Sequence, residues 1–353
     1  MKLYSNITVI FIIWILAVLF IAFSVFNLLP HSDRFQNNFL TSFSNWDGGH
    51  YLGIAEFGYS EKFQYAFFPL YPLLIKLLTE ITQNYLLSGI LISIICTFLG
   101  LHIFYKLVSL DFDKRLAEKA CIYLLFFPTA FYFLTVYTEG LFFFLTISTF
   151  YFLREKKLLL ATIFAIFASA TKVAGLAVVI ALIVEVHLLF GISKKNFYIL
   201  LSPLGFILYC YFLNTQTGDP FYFITAQNHW LRSLSMPFTP FWETIRNLSS
   251  PGFTSTNYTA FLDLLFAIFG VGLIIRSFRF LPFSYSIYGL VSLALPLFST
   301  SLSSMPRFLL VIFPIFILLS LLKDKYLILG YQMISLMLLG LFVALYINGY
   351  WVS

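Results

Sequence analysis

Charge is what this chain has least of. Lys, Arg, Asp and Glu make up 10% of its 353 residues, against about 25% in an ordinary soluble domain. A water-soluble fold of this length must cover its surface with polar groups, and this composition cannot supply them. A soluble enzyme, a disordered regulator and a secreted disulfide scaffold are thereby excluded. Cysteine is scarce as well. Cys96, Cys121 and Cys210 each lie inside an apolar run, with neither metal-site nor disulfide-framework spacing, and read as small buried hydrophobes. There is no HExxH or comparable metal motif, and no inverted internal repeat of the kind common in transporters.

What is abundant is apolar bulk. Hydrophobic residues are 60% of the chain and Phe alone accounts for 45 positions; the mean hydropathy is +0.92. The apolar runs are long and continuous rather than alternating, which favours membrane helices over a barrel. Since a span needs roughly 20 apolar residues, the expected fold is an all-α polytopic bundle of about eleven spans, with ten to thirteen acceptable. They are placed at 7–29, 85–107, 119–136, 139–153, 158–171, 173–190, 197–213, 259–277, 282–300, 308–322 and 326–349. The first run is too long for a signal-peptide core and lacks a small-x-small cleavage site, so it reads as a retained helix.

The net charge of +6 follows membrane topology rather than nucleic-acid binding. With the N-terminus in the cytoplasm, Lys2 and the short loops at 106–119, 154–157, 194–195, 276–279 and 323–325 hold fourteen of the 21 Lys and Arg residues, as the positive-inside rule requires. Two longer loops, 30–84 and 214–258, then fall on the outer face of a single integral-membrane domain, 1–353. Long loops in compact domains usually carry function. The first is expected to contain a short helix from Asp47 to Phe57 and an interfacial helix from Phe67 to Leu78.

Within that first loop, Asn45-Trp46-Asp47-Gly48-Gly49-His50-Tyr51 has the spacing to set Asp47, His50 and Tyr51 around one helical turn. A carboxylate beside an apolar bilayer surface is partly desolvated and can serve as a general base. The same residues also suit a solvated helix cap, with Trp46 and Tyr51 as interfacial belt residues. Glu139, in Tyr137-Thr138-Glu139-Gly140, is placed to cap a helix N-terminus. Lys172 interrupts a long apolar stretch; it is either a functional intramembrane cation or part of a short outer turn. Arg307 opens a span at Ser304-Met305-Pro306-Arg307, and either cation could pair with a phosphate. A divalent metal around Asp47, His50 and Glu56 is conceivable, but no spacing demands one.

Taken together, Trp46-Asp47-x-x-His50-Tyr51-x-x-Ile54-Ala55-x-x-Gly58-Tyr59 and Ala66-Phe67-Phe68-Pro69-Leu70-Tyr71-Pro72 resemble the PIG-V-type mannosyltransferases. Phe127-Pro128-Thr129, Tyr137-Thr138-Glu139, Thr171-Lys172, Gly218-Asp219-Pro220 and Met305-Pro306-Arg307-Phe308-Leu309 continue the likeness in order. The resemblance implies a GT-C glycosyltransferase, a polytopic enzyme with a catalytic acid in its first outer loop. Such an enzyme takes a sugar from a polyprenyl-phosphate carrier with inversion. Carried over, the catalytic carboxylate is Asp47. Relatives more often have Arg where this chain has Lys172, and Asp47 has no second acid beside it, Glu56 lying nine residues on. The Phe-, Ile- and Lys-rich composition suggests a prokaryotic member, for which a GPI acceptor is not expected.

The implied reaction moves mannose from a polyprenyl-phosphate donor to a lipid or glycan acceptor on the outer face of the cytoplasmic membrane. Asp47 is the base. Trp46, His50, Tyr51 and Glu139 position sugar or acceptor, and Lys172 or Arg307 meets the phosphate. The partners are thus the donor, the acceptor and membrane lipids, with no nucleic acid. The alternatives are a lipid-linked sugar flippase or transporter, which leaves its lipid covalently unchanged, and a surface-polysaccharide polymerase or ligase.

Overall fold

The computed structural model describes residues 4–35, 38–191, 193–248 and 255–352. Lys2 and positions 249–254 of the second long loop lie outside the described residues. All regular structure among the described residues is helical, apart from one isolated antiparallel bridge between Leu234 and Ser299. Among the described residues, five helices are long and apolar enough to cross a membrane: Ile7–Leu28, Tyr85–Asp111, Phe197–Thr217, Tyr258–Phe280 and Lys325–Ile347. They match five of the eleven expected spans. The chain divides into two compact units, one comprising 1–58, 71–154 and 316–352, the other 59–70 and 155–315.

In the first unit, the N-terminal helix turns Phe11, Trp14, Val18 and Ala22 inward at helical spacing, while Ile13, Leu16 and Phe20 are exposed. A helix apolar all round belongs in lipid. It packs on helices Lys325–Ile347 and Tyr85–Asp111. Helices Tyr85–Asp111 and Glu139–Arg154 approach very closely, because small residues line the seam. A Cβ placed on Gly140 would sit 2.6 Å from the Ser93 carbonyl oxygen. Ser93, Thr97, Thr146, Ser148 and Thr149 are fully buried between apolar residues. At the other end of this pair, Arg154 forms an ion pair with Asp111.

The expected span 119–136 is not a continuous helix. Helix Lys114–Leu125 stops, and a 3₁₀ turn follows at Ala130–Leu134. Pro128 accounts for the break: it donates no backbone hydrogen bond and disfavours helical geometry at Phe127. The expected span 308–322 is likewise split, into Met305–Leu310 and Pro314–Ser320. Lys119 Nζ donates to the carbonyls of Ser320 (3.2 Å) and Leu322 (3.1 Å), satisfying orphan acceptors at a helix C-terminus.

In the second unit, Leu158–Ser169, Gly175–Phe190 and Phe283–Leu297 are helices of 12, 16 and 15 residues. At about 1.5 Å per residue they fall short of the ~30 Å hydrocarbon core. The first two reverse direction tightly at residues 170–174. A Cβ on Gly175 would lie 2.2 Å from the Ala168 carbonyl oxygen, so only glycine fits. Tyr65 and Phe68 are buried against Tyr209, Leu213 and Phe223. Tyr209 Oη donates to the carbonyls of Tyr65 (2.7 Å) and Phe67 (3.1 Å). The Ala66–Pro72 motif therefore begins as a buried anchor, and the helix that follows it runs from Leu70 to Thr82, slightly later than expected.

Candidate functional site

The Asp47–Phe57 helix has the limits expected from the sequence. What the sequence does not reveal is how its first turn is held. The Asn45 side chain donates to the Tyr346 carbonyl at 2.9 Å. The Asn45 carbonyl in turn accepts from Tyr137 Oη at 3.0 Å and Tyr346 Oη at 3.1 Å. Val136 N donates to the Phe43 carbonyl at 2.9 Å. A Cβ on Gly48 would stand 3.3 Å from the Val136 carbonyl oxygen, so Gly48 lets the turn lie directly on that strand-like segment.

Trp46 stands at φ +60°, ψ −121°, a conformation that costs a bulky residue on the order of 1–3 kcal/mol. Its ring is fixed edge-on by Phe35 at 5.2 Å and Trp351 at 5.0 Å, and the Arg34 guanidinium lies 5.5 Å from its centroid. These contacts offset the strain. The consequence is directional: the chain reverses at Trp46 and presents Asp47, half-buried, as the first helical residue.

Asp47 lies within electrostatic reach of Tyr346. Tyr51, one turn on and buried, packs edge-on against Tyr71 at 5.2 Å and Tyr137 at 6.5 Å. Tyr137 also contacts Tyr132 at 4.7 Å and Tyr346 at 6.0 Å. Glu139 begins its helix at 2% exposure, where the helix dipole favours a carboxylate. It accepts from Thr138 Oγ1 at 3.5 Å and acts electrostatically on Tyr71. Tyr71 donates to Gly89 O at 3.0 Å and exchanges a hydrogen bond with Ser93 at 2.8 Å. Burial pushes its hydroxyl above the ordinary phenol range, so it stays a proton donor. Trp46, Asp47, Tyr51 and Glu139 are thus brought into one tyrosine-lined region of the first unit, with His50 half-buried on the same turn as Asp47.

The conceivable metal grouping is not assembled. Glu56 is exposed on the Asp47–Phe57 helix, nine residues from Asp47, which places it on the opposite helical face. Among the described residues no three His, Cys, Asp or Glu side chains gather as ligands.

Lys172 and Arg307 belong to the second unit. Lys172 is half-buried in the turn between two short helices, where its carbonyl accepts from Gly175 N at 2.8 Å. That turn joins helices Leu158–Ser169 and Gly175–Phe190. Arg307 lies in helix Met305–Leu310. Nearby is a residue that the sequence analysis did not single out. Asp263 is buried, accepts from Met305 N at 3.0 Å, and feels both Arg232 and Arg307. A lone acid five residues into an apolar run was the signal available for it. Asn45 and Tyr346 gave no signal at all, being 301 residues apart.

Much of the surroundings of Asp47, though not Tyr346 or Trp351, falls in a stretch that matches a family profile. The profile of the mannosyltransferases (PIG-V) matches residues 22–213, more than half of the chain. That range includes Asp47, Glu139 and Lys172 and leaves out Arg307. Among curated proteins, the GPI alpha-1,6-mannosyltransferase 2 of Rattus norvegicus is 32% identical over 142 residues, covering 36% of this chain and 28% of the relative. That of Mus musculus is 31% identical over 130 residues, covering 33% and 26%. The matched stretch spans about a quarter of these relatives. Among solved structures, an Archaeoglobus fulgidus oligosaccharyltransferase in complex with zinc and sulfate aligns over 96% of this chain and 53% of its own, with 14% identity and a TM-score of 0.49. On the extent of the profile match, the chain belongs to the mannosyltransferase (PIG-V) family.

Proposed function

We propose that this protein is an integral-membrane glycosyltransferase that moves a sugar, mannose, from a polyprenyl-phosphate donor to a lipid or glycan hydroxyl. The reaction takes place on the extracytoplasmic face, with the N-terminus in the cytoplasm and the chain working as one domain. The observation that carries this reading is the setting of Asp47. A strained Trp46 delivers it to the start of a helix, beside Tyr51, Tyr137 and Tyr346 and in the same region as Glu139. Family membership supports the sugar, since the curated relatives are named as mannosyltransferases.

In the proposed step Asp47 removes the proton of the acceptor hydroxyl. The acceptor oxygen forms a bond to the anomeric carbon as the bond from that carbon to the phosphate oxygen breaks on the opposite face. Configuration inverts, and the electron pair leaves with the polyprenyl phosphate. Lys172 and Arg307 are assigned to that phosphate on the chemistry of their charge, which stabilises the developing anion. His50, Tyr51, Trp46 and Glu139 bind sugar or acceptor through hydrogen bonds and ring stacking. Tyr71, held neutral by burial, supports Tyr51 from behind.

The test is donor consumption. Wild type and Asp47→Asn are purified in detergent, given polyprenyl-phosphate mannose and a lipid extract of the source cells, and followed by mass spectrometry. Wild type is expected to shift a hexose onto an acceptor and the variant to lose ~10²–10⁴ in rate. Transfer by the variant at the wild-type rate removes Asp47 from the mechanism. A donor that crosses the bilayer covalently unchanged replaces the transferase with a flippase.

A further inference from the structure

The second unit carries a feature that the reading above leaves unused. From Leu231 onward the chain shows its apolar side chains outward: Leu231 is 89% exposed, Met236 79%, Phe238 75% and Trp242 67%. Trp242 and Ile245, three residues apart, lie on one face of helix Thr239–Leu248, and exposed Phe238 immediately precedes that helix. The opposite face of that helix buries Pro240 and Thr244. The helix packs against Ser255–Phe280, which contains a candidate membrane span.

Set into this apolar segment is Arg232, and it is held in place. Ser235 N donates to the Phe298 carbonyl at 2.9 Å and Thr300 N to the Ser233 carbonyl at 3.0 Å. These bonds pin the loop onto residues 298–304, and Arg232 Nη2 reaches the Ser303 carbonyl at 2.5 Å. The guanidinium carbons of Arg232 and Arg307 lie 5.2 and 5.9 Å from the centre of one ring, that of Phe308. Buried Asp263 faces both. Leu231, Phe238 and Ser304 all take left-handed backbone at φ +55°, +74° and +71°, a conformation that bulky residues adopt where surrounding structure demands it.

An exposed apolar stripe adjoining a pair of arginines matches one kind of ligand, an amphiphile with an anionic head. Arginine is the side chain suited to bidentate phosphate contact. We propose that Arg232 joins Arg307 in holding the phosphate of a lipid phosphate whose chain lies along Leu231, Leu234, Phe238 and Trp242. Asp263 acts as a positioning residue, orienting both guanidinia and the first turn of Met305–Leu310. The proposal rests on the donor class named above and adds its binding site, which draws on the second outer loop.

The experiment measures binding, not transfer. The full chain in detergent is titrated with geranylgeranyl phosphate, geranylgeraniol and inorganic phosphate, read by native mass spectrometry and by tryptophan fluorescence. The lipid phosphate is expected to bind at least tenfold more tightly than the alcohol, and millimolar inorganic phosphate is expected not to displace it. Arg232→Gln should weaken it at least tenfold. Because Arg232 also braces the Ser303 carbonyl, a second variant is used: Leu231→Asp adds a negative charge at an exposed site where Asp tolerates left-handed backbone. It too should weaken binding at least tenfold while leaving thermal stability unchanged.

Wild-type affinity in folded Leu231→Asp overturns the proposal, as does equal affinity for alcohol and phosphate, which makes the stripe a plain bilayer contact. Displacement by inorganic phosphate at equal concentration overturns it too. If wild type transfers sugar and Leu231→Asp leaves the donor KM unmoved, this site falls while the Asp47 reading stands. If the lipid phosphate binds as expected but no sugar moves, the site stands and the transferase reading falls.

Discussion

The region around Asp47 and the region around Arg232 solve different problems with different materials. The first is built inside a unit. Tyr51, Tyr71, Tyr137 and Tyr346 are all buried there, and the Asn45 carbonyl accepts from two tyrosine hydroxyls. The second lies on exposed loop, pinned by a few backbone bonds and facing outward with Leu231, Phe238 and Trp242. Proton abstraction tolerates little error in position, so the acid belongs on a helix end braced from several sides. A flexible chain with a charged head is held by area and charge, which do not need that precision. The two regions differ in where their bracing lies: buried tyrosine hydroxyls around Asn45, and backbone bonds under an exposed apolar segment around Arg232.

The sharpest way to break the comparison is Asp47→Asn, with its ~10²–10⁴-fold loss of transfer at unchanged helix content by circular dichroism. A variant that loses structure as well as activity would make Asp47 a structural cap.

Next come the close approaches. Gly140→Val and Gly175→Val each drive a side chain into backbone, against Ser93 and Ala168 respectively. Overpacking of this kind costs about 1–3 kcal/mol, read as a fall in thermal midpoint. Gly140→Val should also abolish transfer, since Glu139 moves with it. Leu231→Asp, by contrast, should leave the midpoint where it was.

Tyr137→Phe and Tyr346→Phe are smaller changes. Each removes one donor to the Asn45 carbonyl, worth about 0.5–1.5 kcal/mol. Each should lower kcat more than it raises the donor KM. Because either hydroxyl alone still serves the shared acceptor, the double variant should exceed the sum. Full additivity would show that they act separately.

The smallest effect compares the two units through pH. Burial raises the phenols of Tyr71, in the first unit, and Tyr59, in the second, above the usual 10.0. A phenol whose folded pKa is raised contributes stability that is complete below the unfolded value and lost as pH rises beyond it. Thermal midpoints should therefore hold up to about pH 10 and fall above it. Tyr71→Phe and Tyr59→Phe should each blunt that fall, and an unaltered alkaline profile in either variant would show that its phenol is not the group lost.

What could be read in the sequence was what local pattern determines. Asp47 to Phe57 came out with correct limits because an acid at the first turn and Gly58, at φ +77°, bound a short helix. Five spans were legible as long apolar runs. The span at 119–136 was not, because hydropathy counts Phe126, Phe127 and the residues after them as apolar whether or not Pro128 lets them form a helix. Site residues followed the same division. Trp46, Asp47, His50 and Tyr51 share one turn and could be found together. Asn45, Tyr137 and Tyr346 are joined by contacts across 92 and 301 residues, which no spacing rule reaches. Arg232 and Arg307 are 75 residues apart, and their convergence on the Phe308 ring accompanies a loop bridge between Leu234 and Ser299, which no spacing rule reaches.

The link between Asn45 and Tyr346 also sets an order of events during biogenesis. The helix bearing Asp47 is made early, yet the hydroxyl and carbonyl of Tyr346 that brace it are made some three hundred residues later. Chains fold from the N-terminus first during synthesis, and until Tyr346 arrives the Asn45 carbonyl has only Tyr137 of its two tyrosine donors. The bonds that fix the turn presenting Asp47 are therefore completed by a helix made late in synthesis.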